Sequence, residues 1–112
     1  MMDWTQSELA RRDVVQAGGT VVASMRKGAD RALIVWAKTQ DRTVRIDRET
    51  VWGNPFIIGR HGDRAAVIGG YRALLDHSPA LKANLGALRG KVLLCWCHPD
   101  PCHGDVLCEA VA

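Results

Sequence analysis

The chain has no long apolar segment, no low-complexity tract and no internal repeat. No stretch of the 112-residue chain reaches the roughly 18 consecutive apolar residues that a membrane-spanning helix needs. Its first five residues, Met-Met-Asp-Trp-Thr, do not have the pattern of a secretory signal peptide. We therefore expect a cytoplasmic protein that makes no contact with a membrane.

Basic side chains are missing from the last part of the chain. From Val92 onward there is no Lys or Arg, and the charged residues are Asp100, Asp105 and Glu109. The whole chain nevertheless carries a net charge of +3, a mild excess that is compatible with a phosphate-bearing ligand. Positive charge for an anion near the C-terminus must come from elsewhere in the fold or from helix-end amides.

The order of apolar patterns predicts a single α/β domain over residues 1–112. Hydrophobic residues make up 47% of the chain, which is enough for one core. Predicted helices cover about 5–16, 29–40, 63–77, 78–88 and 103–112, and predicted strands cover 20–24, 43–47 and 91–97. Residues 49–62 read as an ordered loop. We expect a compact three-layer sandwich with a short, mostly parallel, Rossmann-like sheet.

Four cysteines and two of the four histidines lie between residues 93 and 111. Because alternate side chains of a strand share a face, Cys95 and Cys97 should point the same way. The chain then turns through two prolines and returns with Cys102 and His103 at the mouth of the last helix, so these four side chains can converge. A reducing compartment favours free thiols over disulfides.

Three interpretations of this cluster remain open. Cys95, Cys97, Cys102 and His103 are suitable ligands for tetrahedral zinc, although same-face residues of a strand lie roughly 6.5–7 Å apart, farther than zinc thiolates. Alternatively, Cys102 is a nucleophile activated by His103 and the helix N-terminus, with Asp105 orienting the histidine. The third interpretation is that the thiols are simply buried and that Asp105 caps the helix.

A second motif, Trp52-Gly53-Asn54-Pro55-Phe56, follows the second strand. Glycine permits close backbone approach, the Asn amide can form hydrogen bonds with a nucleobase, and the aromatic rings can stack on a planar ligand. The alternative is a tight turn pinned by core aromatics. In a parallel sheet this loop and the cysteine-rich segment would leave the same edge and line one crevice.

These motifs together resemble the DUF4326 family, small domains of unassigned function. The resemblance covers roughly residues 44–112, with residues 1–43 as an N-terminal βα extension. It rests on the Trp52–Phe56 loop, Tyr71-Arg72, Arg89-Gly90-Lys91, Cys95-Trp96-Cys97 and Cys102-His103-Gly104-Asp105. The ending is also similar, more loosely, to DUF488-type domains. The resemblance implies an α/β fold and no particular reaction.

We expect a domain that processes or senses a nucleotide, nucleoside or nucleobase. The predicted catalytic residues are Cys102, His103 and Asp105, and the predicted ligand-binding residues are Trp52, Gly53, Asn54, Phe56, Tyr71 and Arg72. The alternative is a non-catalytic module, stabilised by zinc at Cys95, Cys97, Cys102 and His103, that binds nucleic acid or a protein partner. Neither the reaction nor the oligomeric state follows from the sequence.

Overall fold

Three parallel strands form the centre of the domain. A computed structural model describes residues 3–112. Met1 and Met2 lie outside the described residues; they belong to the N-terminal residues that we examined for a signal peptide. The strands are β1 (Val21–Ser24), β2 (Thr43–Arg45) and β3 (Val92–Cys95). Their order is β1-β3-β2, and β3 pairs in parallel with both neighbours. All four residues of β3 are buried, as its continuous apolar sequence predicts for a central strand.

Helices cover both faces of this sheet. Along residues 3–112 they are α1 (Gln6–Gln16), α2 (Arg31–Thr39), α3 (Arg64–Asp76), α4 (Pro79–Asn84) with a 3-10 turn at Leu85–Leu88, and α5 (His103–Val111). Strand alternation divides the core in two. Val92 and Leu94 pack with α1 and α2, whereas Leu93 and Cys95 pack with α3 and α5. The predicted three-layer α/β sandwich is therefore confirmed. No helix within the described range is long and apolar enough to span a bilayer.

Capping side chains begin three helices where the sequence predicts. Thr5 forms a capping box with Glu8 at α1, Asp63 accepts from the backbone N–H of Ala66 at α3, and Ser78 caps α4. These side chains satisfy amide groups that have no partner within their own helices. The predicted starting points of α1, α3 and α4 are confirmed.

The N-terminus of α2 is capped by a side chain from another helix. Asp30 has a left-handed backbone (φ 48°), so the helix begins at Arg31 and not at the predicted residue 29. Its carboxylate accepts from Arg11 and from the backbone N–H of Ser24 instead of capping α2. The buried Glu8 of α1 accepts the N–H of Leu33 at 2.9 Å and takes over the capping role.

The carboxyl ends of β2 and β3 lie side by side. Arg45 is in register with Leu94, and the N–H of Ile46 donates to the carbonyl of Leu94 at 3.0 Å. Asp47, just after β2, therefore reaches the same edge of the sheet as Cys95. Strand β3 ends at Cys95, two residues before the predicted end at Cys97.

Candidate metal and ligand site

Three cysteines meet at the end of β3. The Sγ atoms of Cys95, Cys97 and Cys102 all lie within 4.8 Å of one another, and those of Cys95 and Cys102 are 3.6 Å apart. Thiolates on a tetrahedral zinc are separated by about 3.8 Å, given a Zn–S bond of about 2.3 Å. The three cysteines can therefore hold a metal ion such as zinc after small side-chain adjustments.

The early end of β3 explains how Cys97 joins this cluster. An extended strand through Cys97 would hold its side chain about 6.5–7 Å from that of Cys95. Because the strand stops at Cys95, the chain is free to fold back, and the backbone N–H of Asp100 donates to the carbonyl of Cys97 at 2.8 Å. Cys97 lies close to Cys95, and the turn that follows it leads to Cys102, the N-cap residue of α5.

The three thiols differ in pKa. The hydrogen bond between the Cys95 and Cys102 thiols, opposed in part by burial, lowers the pKa of Cys95 well below that of an ordinary thiol. The same hydrogen bond, together with burial, raises the pKa of Cys102. Burial and the neighbouring Cys95 charge raise the pKa of Cys97. Cys95 is thus the thiol that carries the negative charge first, and a thiolate is the form that binds metal.

His103 lies beside the thiols but is held by another partner. Its Nε2 lies 2.6 Å from the carbonyl oxygen of Ile46, so this nitrogen is the donor, and the ring packs edge-on against Tyr71 with centroids 4.9 Å apart. The residue is 8% exposed, and its ring nitrogens are not among the mutually close ligand atoms of the three cysteines. The predicted ligand and catalytic roles of His103 stay predictions.

A cavity of about 160 Å³ adjoins the cysteine cluster. It lies between the end of β3, the loop after β2 and the start of α3. The residues that line it are Asp47, Arg48, Asn54, Phe56, Ile58, Arg64, Val67, Ile68, Cys95, Trp96, Cys97, Pro101, Cys102 and His103. The structure thus brings the cysteine-rich segment and part of the Trp52–Phe56 loop to one cavity.

Two residues of that loop, Asn54 and Phe56, form part of the cavity wall. The Asn54 amide is already bonded inside the protein: Nδ2 donates to the carbonyl of Val67 at 3.1 Å, and Oδ1 accepts the N–H of Phe56 at 3.0 Å. Arg48 adds bonds to the carbonyls of Asn54 and Phe56. Asn54 therefore shapes the loop, and Phe56 offers an aromatic surface.

The other predicted ligand-binding residues lie outside the cavity lining. Trp52 is a core residue whose carbonyl accepts from the buried Tyr71 hydroxyl at 2.8 Å. A Cβ on Gly53 would lie 2.6 Å from the Cα of Arg48, so this glycine permits a close backbone approach, as predicted. Arg72 is exposed and pairs with Glu109 at 2.7 Å.

Asp105, a predicted catalytic residue, also lies outside the cavity lining. Its Oδ2 accepts the backbone N–H of Cys102 at 3.0 Å at the start of α5. This is the capping geometry that the sequence left as an alternative, and the side chain is exposed. Gly104, the residue before Asp105, packs against the sheet and has no room for a side chain, because a Cβ would lie 2.8 Å from a methyl carbon of Val22.

Sequence reasoning missed Asp47. Its side chain is buried, Oδ2 pairs with Arg45, and Oδ1 is buried without a hydrogen-bond partner among the described residues. The hydrogen bond from Arg45, with a smaller effect from the Trp96 indole, outweighs burial and holds the pKa of Asp47 below its usual range. The position of Asp47 at the carboxyl end of β2, beside β3, is the signal that could have identified it.

Fold and cluster together define an α/β domain with a cysteine-rich site at a strand-to-helix junction. The chain belongs to the family described as a domain of unknown function (DUF4326), which matches residues 34–112 and thus includes most of α2. It is 38% identical over 76 residues to the uncharacterized 12.4 kDa protein in the nrdA-td intergenic region of Enterobacteria phage T4. That alignment covers 63% of this chain and 68% of the phage protein. No solved structure matches the chain.

Proposed function

We propose that Cys95, Cys97 and Cys102 hold one zinc ion, and that the domain binds a nucleobase beside it. The base is recognised free or as part of a nucleoside or nucleotide, and the domain senses or processes it at the metal. The observation that carries this proposal is the cluster of three thiols, within 4.8 Å of one another, on the wall of a cavity.

Three protein ligands leave one position of a tetrahedral zinc for water or a substrate. All three cysteines line the cavity, so a ligand in the cavity can reach that position. Zinc makes a bound water acidic and supplies hydroxide near neutral pH, which suits hydrolytic processing of a base. A cytoplasmic, reducing location would keep the thiolates available for the metal.

The size and walls of the cavity support a nucleobase. At about 160 Å³ it is well below the roughly 300–1,000 Å³ of sites for drug-sized molecules, so it suits a ring system and not a whole nucleotide. Phe56 and Trp96 offer aromatic surfaces for stacking. Arg48 and Arg64 also line the cavity and place positive charge near a sugar phosphate that extends from it.

Metal analysis and calorimetry test the proposal together. The purified protein should contain one zinc, and the zinc-loaded protein should bind adenine or cytosine, whereas chelator-treated protein should not. Cys97→Ser should lose both zinc and base binding. Cys108→Ser should keep both, because Cys108 lies outside the three-thiol cluster.

Two results would contradict the proposal. Zinc that is retained by Cys97→Ser at full stoichiometry would place the metal elsewhere. A protein that binds zinc, unfolds on chelation and binds no base would be the zinc-stabilised module that the sequence left as the alternative.

A further inference from the structure

The carboxylate of Asp47 is buried, but only one of its two oxygens has a hydrogen-bond partner among the described residues. The residue keeps only 9% of its surface exposed and lines the cavity, yet Oδ1 has no hydrogen-bond partner among the residues that the structure describes. A buried polar atom without a partner is costly, and more so when it is charged. Asp47 lines the cavity while Oδ1 itself is covered, so a rotation of the carboxylate would present an unpaired acceptor to a ligand there.

The neighbours of Asp47 make it a fixed negative acceptor. Arg45 donates to Oδ2, and its second pair, with Glu49 at 3.1 Å, is exposed to solvent. The Trp96 indole lies near enough to stabilise the carboxylate, but it makes no hydrogen bond of normal geometry to Oδ1. The terminal torsion of an aspartate is broad, so a small rotation can aim Oδ1 at a ligand.

We infer that Asp47 selects a ligand whose ring bears an exocyclic amino group, and that the cavity takes an aminated nitrogen heterocycle. This inference rests on the proposed function, and it names the class of base that the site recognises. Asn54 does not compete for this role, because both ends of its amide are bonded within the protein. A charge-assisted bond from the ligand to Asp47 would complete the hydrogen bonding of the carboxylate.

Matched pairs of ligands test this inference on the unaltered, zinc-loaded protein by calorimetry. Adenine differs from purine, and cytosine from pyrimidin-2-one, by the exocyclic amine. We expect the aminated member to bind roughly tenfold more tightly or better, the increment of one hydrogen bond to a charged group.

The Asp47→Asn variant should reduce that preference to about threefold or less, because neutral hydrogen bonds are roughly half as strong. Glu49→Gln is the matched control: Glu49 is another carboxylate that pairs with Arg45, and it lies outside the cavity lining. It should keep the full preference. Circular dichroism confirms that both variants are folded.

Failure of the inference and failure of the proposed function give different results. If aminated and unaminated bases bind the unaltered protein equally, or if Asp47→Asn keeps the preference, Asp47 does not select the ligand, although the base site stands. If none of the four bases binds the zinc-loaded protein, the proposed function itself is wrong, and the inference fails with it.

Discussion

The Sγ atoms of Cys95 and Cys102 lie 3.6 Å apart, although Cys95 ends the central strand and Cys102 caps the last helix. The turn between them brings Cys97 to the same point. A metal bound there would tie the strand end, the turn and the helix start together. The cluster therefore links the fold of the C-terminal segment to the chemistry proposed for it.

Tyr71 supports the fold, and we expect its hydroxyl to be dispensable for ligand binding. Burial raises the pKa of Tyr71 to about 12, so the hydroxyl stays protonated and donates to the carbonyl of Trp52. Tyr71→Phe leaves that buried carbonyl without its partner and should lower the free energy of unfolding by about 1–2 kcal/mol. Urea denaturation measures this loss, and calorimetry should show unchanged adenine affinity. A loss of affinity at unchanged stability would instead place the hydroxyl in the binding site.

Glu8 joins the N-terminal helix to the rest of the domain. One carboxylate oxygen accepts the N–H of Thr5, and the other accepts the N–H of Leu33. We expect Glu8→Ala to lower the free energy of unfolding by about 2 kcal/mol, since it removes a capping box and a buried acceptor. Glu8→Gln keeps one acceptor oxygen and should lose about half as much. An alanine variant as stable as the unaltered protein would show that α2 needs no cap from α1.

Asp30 should make the free energy of unfolding depend on pH in the acidic range. Burial raises its pKa, but the hydrogen bonds from Arg11 and from the Ser24 N–H outweigh burial, so the net pKa is lowered. The stabilisation is therefore fully present above the unfolded-state value of about 3.9, and it is lost as the pH falls through the lower folded-state value.

Comparison with Asp30→Asn isolates this effect, since asparagine keeps the shape without the charge. We expect the variant to be less stable by about 1–2 kcal/mol at pH 7. The difference should stay constant down to about pH 5 and narrow below about pH 4. Denaturant unfolding over this range measures it. A difference that widens as the pH falls would contradict the assigned direction of the pKa shift.

Asp105 can be tested by the substitution Asp105→Asn. At this third helical position asparagine keeps an acceptor oxygen for the Cys102 N–H and loses only the charge near the helix N-terminus, so we expect a loss of less than about 1 kcal/mol, with zinc content and adenine affinity unchanged. This follows from the bond of Asp105 to the Cys102 N–H and from its place outside the cavity lining. Lost affinity in a stable variant would support the catalytic role predicted from the sequence.

Much of the fold follows from local sequence. The apolar run Val92–Leu94 predicts a central strand, and Asp63 and Ser78 predict helix starts, because each signal acts over a few residues. The left-handed backbone of Asp30 was not predictable in this way. Its partners Arg11 and Ser24 are brought to it by tertiary structure.

The site was only partly predictable for a similar reason. Cysteine density identified the cluster, but the position of Cys97 depends on where β3 ends, which alternation cannot give. Asn54 has the chemistry to read a base, yet the folded loop uses its amide internally. Asp47 carries no motif, and its significance depends on the pairing of β2 with β3.

X-ray absorption at the zinc edge tests the central claim most directly, because it counts the atoms bound to the metal. We predict three sulfur atoms at about 2.3 Å and one lighter atom at the fourth position, with no imidazole scattering. Addition of adenine should change the fourth position alone. Four sulfur neighbours, or an imidazole from His103 completing a closed set of protein ligands, would contradict a zinc site that is open to the cavity.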